Sequence, residues 1–379
     1  MRLVHVVVCS VLALACVGAA GPVAPNESVP LNEPVVLKEP MRGLIDRDGP
    51  SNAAYAPVVD NFVIKVNWSD LQPVEEPGTG HGAALDTSQI DQALADPEGA
   101  GMAVRLRVYG GINAPDWAKR LGGATPIPWH SDGEVIGTIG RFWTTAYGTA
   151  YQNLQDRLAA LYDDDPRLLD VVIARCTTEF AEPYIRQTGN LPENRPGLEA
   201  AGYTSAADDQ CHRDEIDAHQ VWQRTRSYLA FNPYQRINTT TWKGSVDSAF
   251  TEQMIDYCRA SLGERCVLGN NSLDPDRPTS YHNMYAYIAA KGGPISFQTA
   301  TAAKLCGGLD PCPPSAWNPT LDLALTYGAG AVELPGARTG YTSWPLAETP
   351  PHHGLTYYDG ELEQNQAAQD GPGTARSVN

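Results

Sequence analysis

Two short stretches place acids where chemistry would need them: Thr177-Thr178-Glu179-Phe180-Ala181-Glu182-Pro183 and Ala331-Val332-Glu333-Leu334-Pro335. In the second, Glu333 interrupts an apolar run at the end of a candidate strand, an unusual place for an idle acid. Two carboxyls can divide the work of hydrolysis. One stays protonated and assists an oxygen leaving group, while the other stays ionised and attacks, or activates water. Burial beside an aromatic such as Phe180 or Tyr184 would raise one pKa, and a guanidinium such as Arg105 or Arg175 would hold the other acid ionised. An acid in a loop is more often a solvated surface group, so position has to decide.

The elements around these acids alternate. Short β-rich runs occur at Arg42 to Asp46, Phe62 to Trp68, Ala103 to Tyr109, Val171 to Cys176, Tyr228 to Phe231, Val267 to Leu268, Pro294 to Phe297 and Ala331 to Leu334, eight in all. Between them lie helical patterns: Tyr147, Tyr151, Leu154, Leu158 and Leu161 in one, Phe250, Met254, Cys258 and Leu262 in another. A helix between consecutive strands implies a parallel crossover, and eight such units close a (β/α)8 TIM barrel. No glycine-rich phosphate loop follows any strand, which counts against a dinucleotide or nucleotide fold. No Gly-x-Ser-x-Gly elbow is present either.

In such a barrel the working residues sit at the C-terminal ends of the strands and in the loops that follow. Those ends carry Asp46, Trp68 with Asp70, Asn113 with Asp116 and Trp117, Glu179 and Glu182, Asn232 with Tyr234, Asn270 with Asn271, Gln298, and Glu333. Asn113, Asn232, Asn271 and Gln298 have the amides to hydrogen-bond sugar hydroxyls, although each could equally cap a helix or a turn. Trp68, Trp117, Trp129, Trp143 and Trp242 fall in or beside mouth loops; a flat ring there stacks on a sugar or fills a loop core. Trp68 and Trp117 are the candidate platforms. His81, His130 and His282 show no metal-ligand spacing, and no metal or organic cofactor is implied.

The run Asn67-Trp68-Ser69-Asp70-Leu71-Gln72-Pro73 resembles the second barrel unit of clan A retaining glycoside hydrolases. Ala114-Pro115-Asp116-Trp117 is similar to the proline-tryptophan loop of family 42 β-galactosidases. The resemblance implies a carbohydrate substrate and an acid/base glutamate closing the fourth strand, where strand length favours Glu179 and the following proline favours Glu182. It also implies a glutamate nucleophile on the seventh strand, but Pro294-Ile295-Ser296-Phe297-Gln298 ends in an amide. Three readings follow: Glu333 on the next strand is the second carboxylate, the strand count is displaced by one, or the barrel binds carbohydrate without cleaving it.

Residues 1–20 have the cation, apolar run and small-residue ending of a secretory signal peptide, with Cys16 offering a poorer lipoprotein box. Residues 21–40 form a Pro-rich linker or arm, residues 41–345 the barrel, and residues 346–379 an expected loosely ordered tail. Past the leader, Cys258 with Cys266 and Cys306 with Cys312 close short loops, leaving Cys176 for Cys211. A net charge of −17 disfavours nucleic acid or an anionic membrane as partner. No later segment approaches the roughly 20 apolar residues of a membrane span, and the oligomeric state is not legible.

Overall fold

The computed structural model describes residues 35–185, 191–336 and 340–370. Twelve strands occur among them. Eight are parallel and close a ring in the order β1 (Gly43–Asp46), β2 (Asn61–Asn67), β3 (Ala103–Tyr109), β6 (Leu168–Val172), β7 (Arg226–Ala230), β10 (Cys266–Leu273), β11 (Ile295–Thr299) and β12 (Ala331–Leu334), which pairs back onto β1. Helices occupy every connection except that from β1 to β2, and the chain is a (β/α)8 barrel. Two antiparallel hairpins are inserted: β4 (Ile127–Ser131) with β5 (Glu134–Ile139), and β8 (Gln235–Asn238) with β9 (Lys243–Val246).

The helical stripes face the barrel as their spacing requires. Tyr147, Tyr151, Leu154 and Leu158 are buried on helix Thr145–Tyr162, while Leu161, grouped with them by spacing, is 58% exposed. Phe250, Met254, Cys258 and Leu262 are all buried on Ser248–Leu262. Burying such side chains contributes about 1.5–3 kcal/mol each, and two large apolar clusters lie in this layer between strands and helices. The lumen has a different composition. On β3 the period of two sends Val104, Leu106 and Val108 to the outer layer, so Arg105 and Arg107 point inward.

The fourth barrel strand ends at Val172, whereas the apolar run predicts Val171 to Cys176. The reason is in the hydrogen bonds. Residues 173–176 are buried, but the amides of Arg175 and Cys176 donate to the Glu215 carboxylate and that of Ala174 to the Tyr151 hydroxyl. Ile173 still donates to the Tyr228 carbonyl of β7, but beyond it burial without ladder pairing reads as strand in a sequence. The three disulfides are Cys176–Cys211, Cys258–Cys266 and Cys306–Cys312, consistent with an oxidising compartment.

The expected loose tail from residue 346 is corrected at residues 355–370, while residues 371–379 lie outside the described residues. Leu355–Asp370 is a helix whose Leu355, Tyr358, Leu362 and Gln366 are buried, and its Asp359 accepts the Leu44 amide of β1. Before β1, the Lys38 ammonium donates to the carbonyls of Asp165 and Leu168 and to the Thr225 hydroxyl, tying residues ahead of the barrel to its lower face. The signal-peptide reading, Cys16 and most of the Pro-rich arm lie outside the described residues. Among the described residues no helix is long and apolar enough to cross a membrane.

Candidate active site at the barrel mouth

Glu333 stands inside the lumen near the end of β12, 0% exposed. Arg107 grips it with both terminal nitrogens, Nη1 to Oε1 at 3.1 Å and Nη2 to Oε2 at 2.6 Å. Arg47, just past β1, adds Nε to Oε1 at 3.2 Å, and Arg105 Nη1 lies 3.5 Å from Oε2. Burial alone would push this carboxyl up. The charges of Arg107, then Arg47 and Arg105, overcome it and hold the pKa at about 2 against an ordinary 4.5. One layer deeper, Arg105 forms a forked pair with Asp170 at 2.7 and 2.8 Å, donates to the Ser296 hydroxyl and lies 3.8 Å above the Tyr228 ring.

A second group belongs to the ends of β6, β7, β10 and β11. Glu182 is nearly buried, and its Oε2 accepts from the Asn232 amide at 3.0 Å. Asn232 in turn accepts from Asn270 at 2.8 Å, and Asn270 also donates to the Phe231 carbonyl. Asn271 accepts from the Tyr228 hydroxyl at 3.1 Å, and its carbonyl receives Gln298 Nε2 at 3.3 Å. Gln298 Oε1 is shielded from solvent and has no hydrogen-bond partner among the described residues. Gln298 pairs in register with Glu333, so an amide and a caged carboxylate sit side by side on β11 and β12.

The loop carrying Glu179 and Glu182 is fixed from outside the barrel. Helix Ser205–Asp217 supplies Glu215, which is fully buried; its Oε2 accepts two backbone amides and its Oε1 contacts His212 Nδ1 at 2.9 Å. The same helix carries Cys211, bonded to Cys176. Cys176, His212 and Glu215 lie close enough to suggest a metal site, but a disulfide sulfur cannot serve as a thiolate ligand. Arg175, one of two cations named from the sequence as a possible partner for an acid, is directed to the Phe142 and Thr144 carbonyls and to Asp214, away from Glu333.

The remaining sequence candidates divide. Glu179 is half-buried and accepts from Ser131 of the β4–β5 hairpin at 3.4 Å. Asn113 is half-buried after β3. Trp117 is half-buried, donating from Nε1 to the Gln72 carbonyl. Trp68 is corrected from platform to core: it is 1% exposed, bonded through Nε1 to Gln72 Oε1 and met edge-on by Trp117, Tyr147 and Tyr151. Position at a strand end suggested the mouth, but the residue opens a one-turn helix, Trp68–Leu71, that turns its ring outward. Trp129, Trp143 and Trp242 are buried as well. Sequence reasoning missed Arg47 and Arg107; the signal for Arg107 was its alternation with Arg105 on an otherwise apolar strand.

No protein-family model and no curated protein matches this sequence. Among solved structures the chain is similar to an endo-glycoceramidase II from Rhodococcus sp., at 15% identity, covering 87% of this chain and 81% of that one with a TM-score of 0.45. It is also similar to a GH10 xylanase with a bacterial Ig-like domain from termite gut, at 14% identity with 88% and 77% covered and a TM-score of 0.45. A third is Cel5A of Thermotoga maritima, at 9% identity with 84% and 97% covered and a TM-score of 0.44.

Proposed function

We propose that this chain is a glycoside hydrolase in which Glu182 serves as general acid/base and Glu333 as the second carboxylate. The observation that carries the reading is the placement of two acids on opposed walls. In the closed ring β6 and β12 are four positions apart, so the loop after β6 and the end of β12 face each other across the mouth. Glu333 is held ionised by guanidiniums. Glu182 is nearly buried and accepts a hydrogen bond from the neutral Asn232 amide. Two carboxyls facing each other across a mouth can divide the work of hydrolysis, one in proton transfer and the other as negative charge opposite the developing cation. Asn232, Asn271 and Gln298 supply amides between them, and the half-buried Asn113 and Trp117 supply a further amide and a ring edge. Glu182 takes precedence over Glu179 because it reaches the Asn232 side chain at the barrel axis, whereas Glu179 reaches out to the hairpin.

The likeness to clan A glycoside hydrolases agrees with this reading at the fourth-strand loop and departs from it at β11, where Gln298 stands. A second reading, a barrel that binds carbohydrate without cleaving it, is favoured by one fact: both oxygens of Glu333 are engaged by guanidiniums and neither is open to solvent.

The test is a screen of aryl glycosides and cell-wall polysaccharides with the parent and with Glu179→Gln, Glu182→Gln and Glu333→Gln. Loss of a general acid costs about 10²–10⁴ in rate. Glu182→Gln should show that loss and Glu179→Gln should not. Full activity in all three variants would overturn the assignment; sugar binding without turnover by the parent would establish the second reading.

A further inference from the structure

Cationic side chains gather at the rim formed by β1 and β2. Into this side of the lumen project Arg47, Lys65, Arg105 and Arg107, answered by Asp48, Asp170 and Glu333. With Asp46 buried at the end of β1, four cations meet four anions, so what this rim offers an incoming anion is the unused donors of its exposed cations. The arginines of β3 are sealed. Arg47, Lys65 and Asp48 reach solvent, with side chains 13%, 31% and 27% exposed. Arg47 gives Nε to Glu333 and Nη2 to the Thr299 carbonyl, and among the described residues its Nη1 has no partner. The Lys65 ammonium has three donors, one of them directed to Asp48 Oδ1 at 2.5 Å.

We infer that this rim takes the carboxylate of a single acidic sugar unit, so that the glycan bound at the mouth carries one uronic acid. The inference rests on the carbohydrate reading above and names its substrate class. Free donors on Arg47 and Lys65 face a site backed by buried guanidiniums, where low dielectric strengthens attraction for an anion. Salt screens the acidic outer surface over about 8 Å, so that surface repels a long polyuronide more than one acidic residue held at the rim. The opposite wall, with Glu182 and the amides, suits neutral hydroxyls.

Binding measured by calorimetry decides the matter, using xylobiose bearing one glucuronic acid, its carboxyl-reduced form, and a trisaccharide bearing one sulfate ester. The uronate should bind at least about tenfold more tightly than the reduced sugar, the scale of one charge-assisted hydrogen bond. The advantage should shrink in high salt and disappear in Arg47→Gln and in Lys65→Met, of which the second leaves the Glu333 contacts intact if the first fails to fold. Equal affinity for the acidic and reduced sugars, a preference unchanged in both variants, tighter binding of the sulfate, or no binding of any of the three overturns the inference. Neutral sugars cleaved as readily as acidic ones would leave hydrolysis standing and remove this inference. Arg47-dependent binding of the uronate without cleavage would do the reverse.

Discussion

Replacing Glu333 by glutamine keeps the shape of the side chain and removes the charge at the centre of three guanidiniums. The carboxyl titrates at about 2 in the folded chain against an ordinary 4.5, a difference worth about 3 kcal/mol of folding free energy at neutral pH. The variant also strands Arg107, Arg47 and Arg105 without their shared anion, and breaking a buried pair from one side costs about 3–5 kcal/mol. Both routes give a loss of the same size, a large share of the roughly 5–15 kcal/mol that holds a domain folded. Urea unfolding at fixed ionic strength, with circular dichroism and tryptophan fluorescence required to coincide, should be run on parent and variant from pH 7 to pH 2.5. Because the folded acid ionises at lower pH than the unfolded one, its stabilisation is complete above about 4.5 and fades as pH falls towards 2. The gap between the two proteins should therefore be flat at neutral pH and close on the acid side. Subtracting the variant removes the contribution of the other carboxylates. A gap below about 1 kcal/mol at pH 7, or one that does not change with pH, would refute the cage.

Two further perturbations test how the mouth is supported and how the barrel is closed. The Cys176–Cys211 bridge spans 35 residues, and removing it as the double alanine variant should cost about 3–4 kcal/mol by loop entropy, with a larger fall in turnover than in substrate affinity because the Glu182 loop loses an anchor. On the closing helix, burial first and then the charge of Asp60 raise the Asp359 carboxyl from 3.8 to about 7. Its protonated form is the better fitted to the fold, so stability falls as pH rises from about 4 to 7. Asp359→Asn, which keeps an acceptor for the Leu44 amide, should melt about 2–4 °C higher than the parent at pH 8, with no advantage at pH 4.5.

The barrel was legible because its strands and helices carry period signals that tertiary packing reinforces. Apolar runs marked all eight strands, and the stripes on Thr145–Tyr162 and Ser248–Leu262 marked helices that bury those side chains. Errors arose where a residue's surroundings come from far along the chain. The stretch after Val172 looked like strand because it is buried, yet its amides are satisfied by Glu215 and Tyr151. Leu355–Asp370 hid among Gln and Asn because its buried stripe is only one residue wide. The position of Glu333 at a strand end was readable; the guanidiniums around it were not, since Arg47 and Arg107 lie 286 and 226 residues away. The preference proposed for Glu182 over Glu179 likewise rests on Asn232, which no local spacing ties to either.

The ion cluster in the lumen also bears on the order in which this chain can assemble. Its cations lie just past β1 and on β3, synthesised early, whereas the carboxylate that joins three of them comes from the last barrel strand. Until β12 docks against β1, Arg47 and Arg107 have no counterion within the lumen, and a partly closed sheet would confine like charges side by side. Repulsion keeps the incomplete ring open and hydrated, and the arrival of Glu333 turns that penalty into cohesion. Long-range closure of this kind makes folding slow, but it also makes folding conditional. A chain cut short before residue 333 lacks both the carboxylate shared by three guanidiniums and the β12 pairing that closes the ring onto β1.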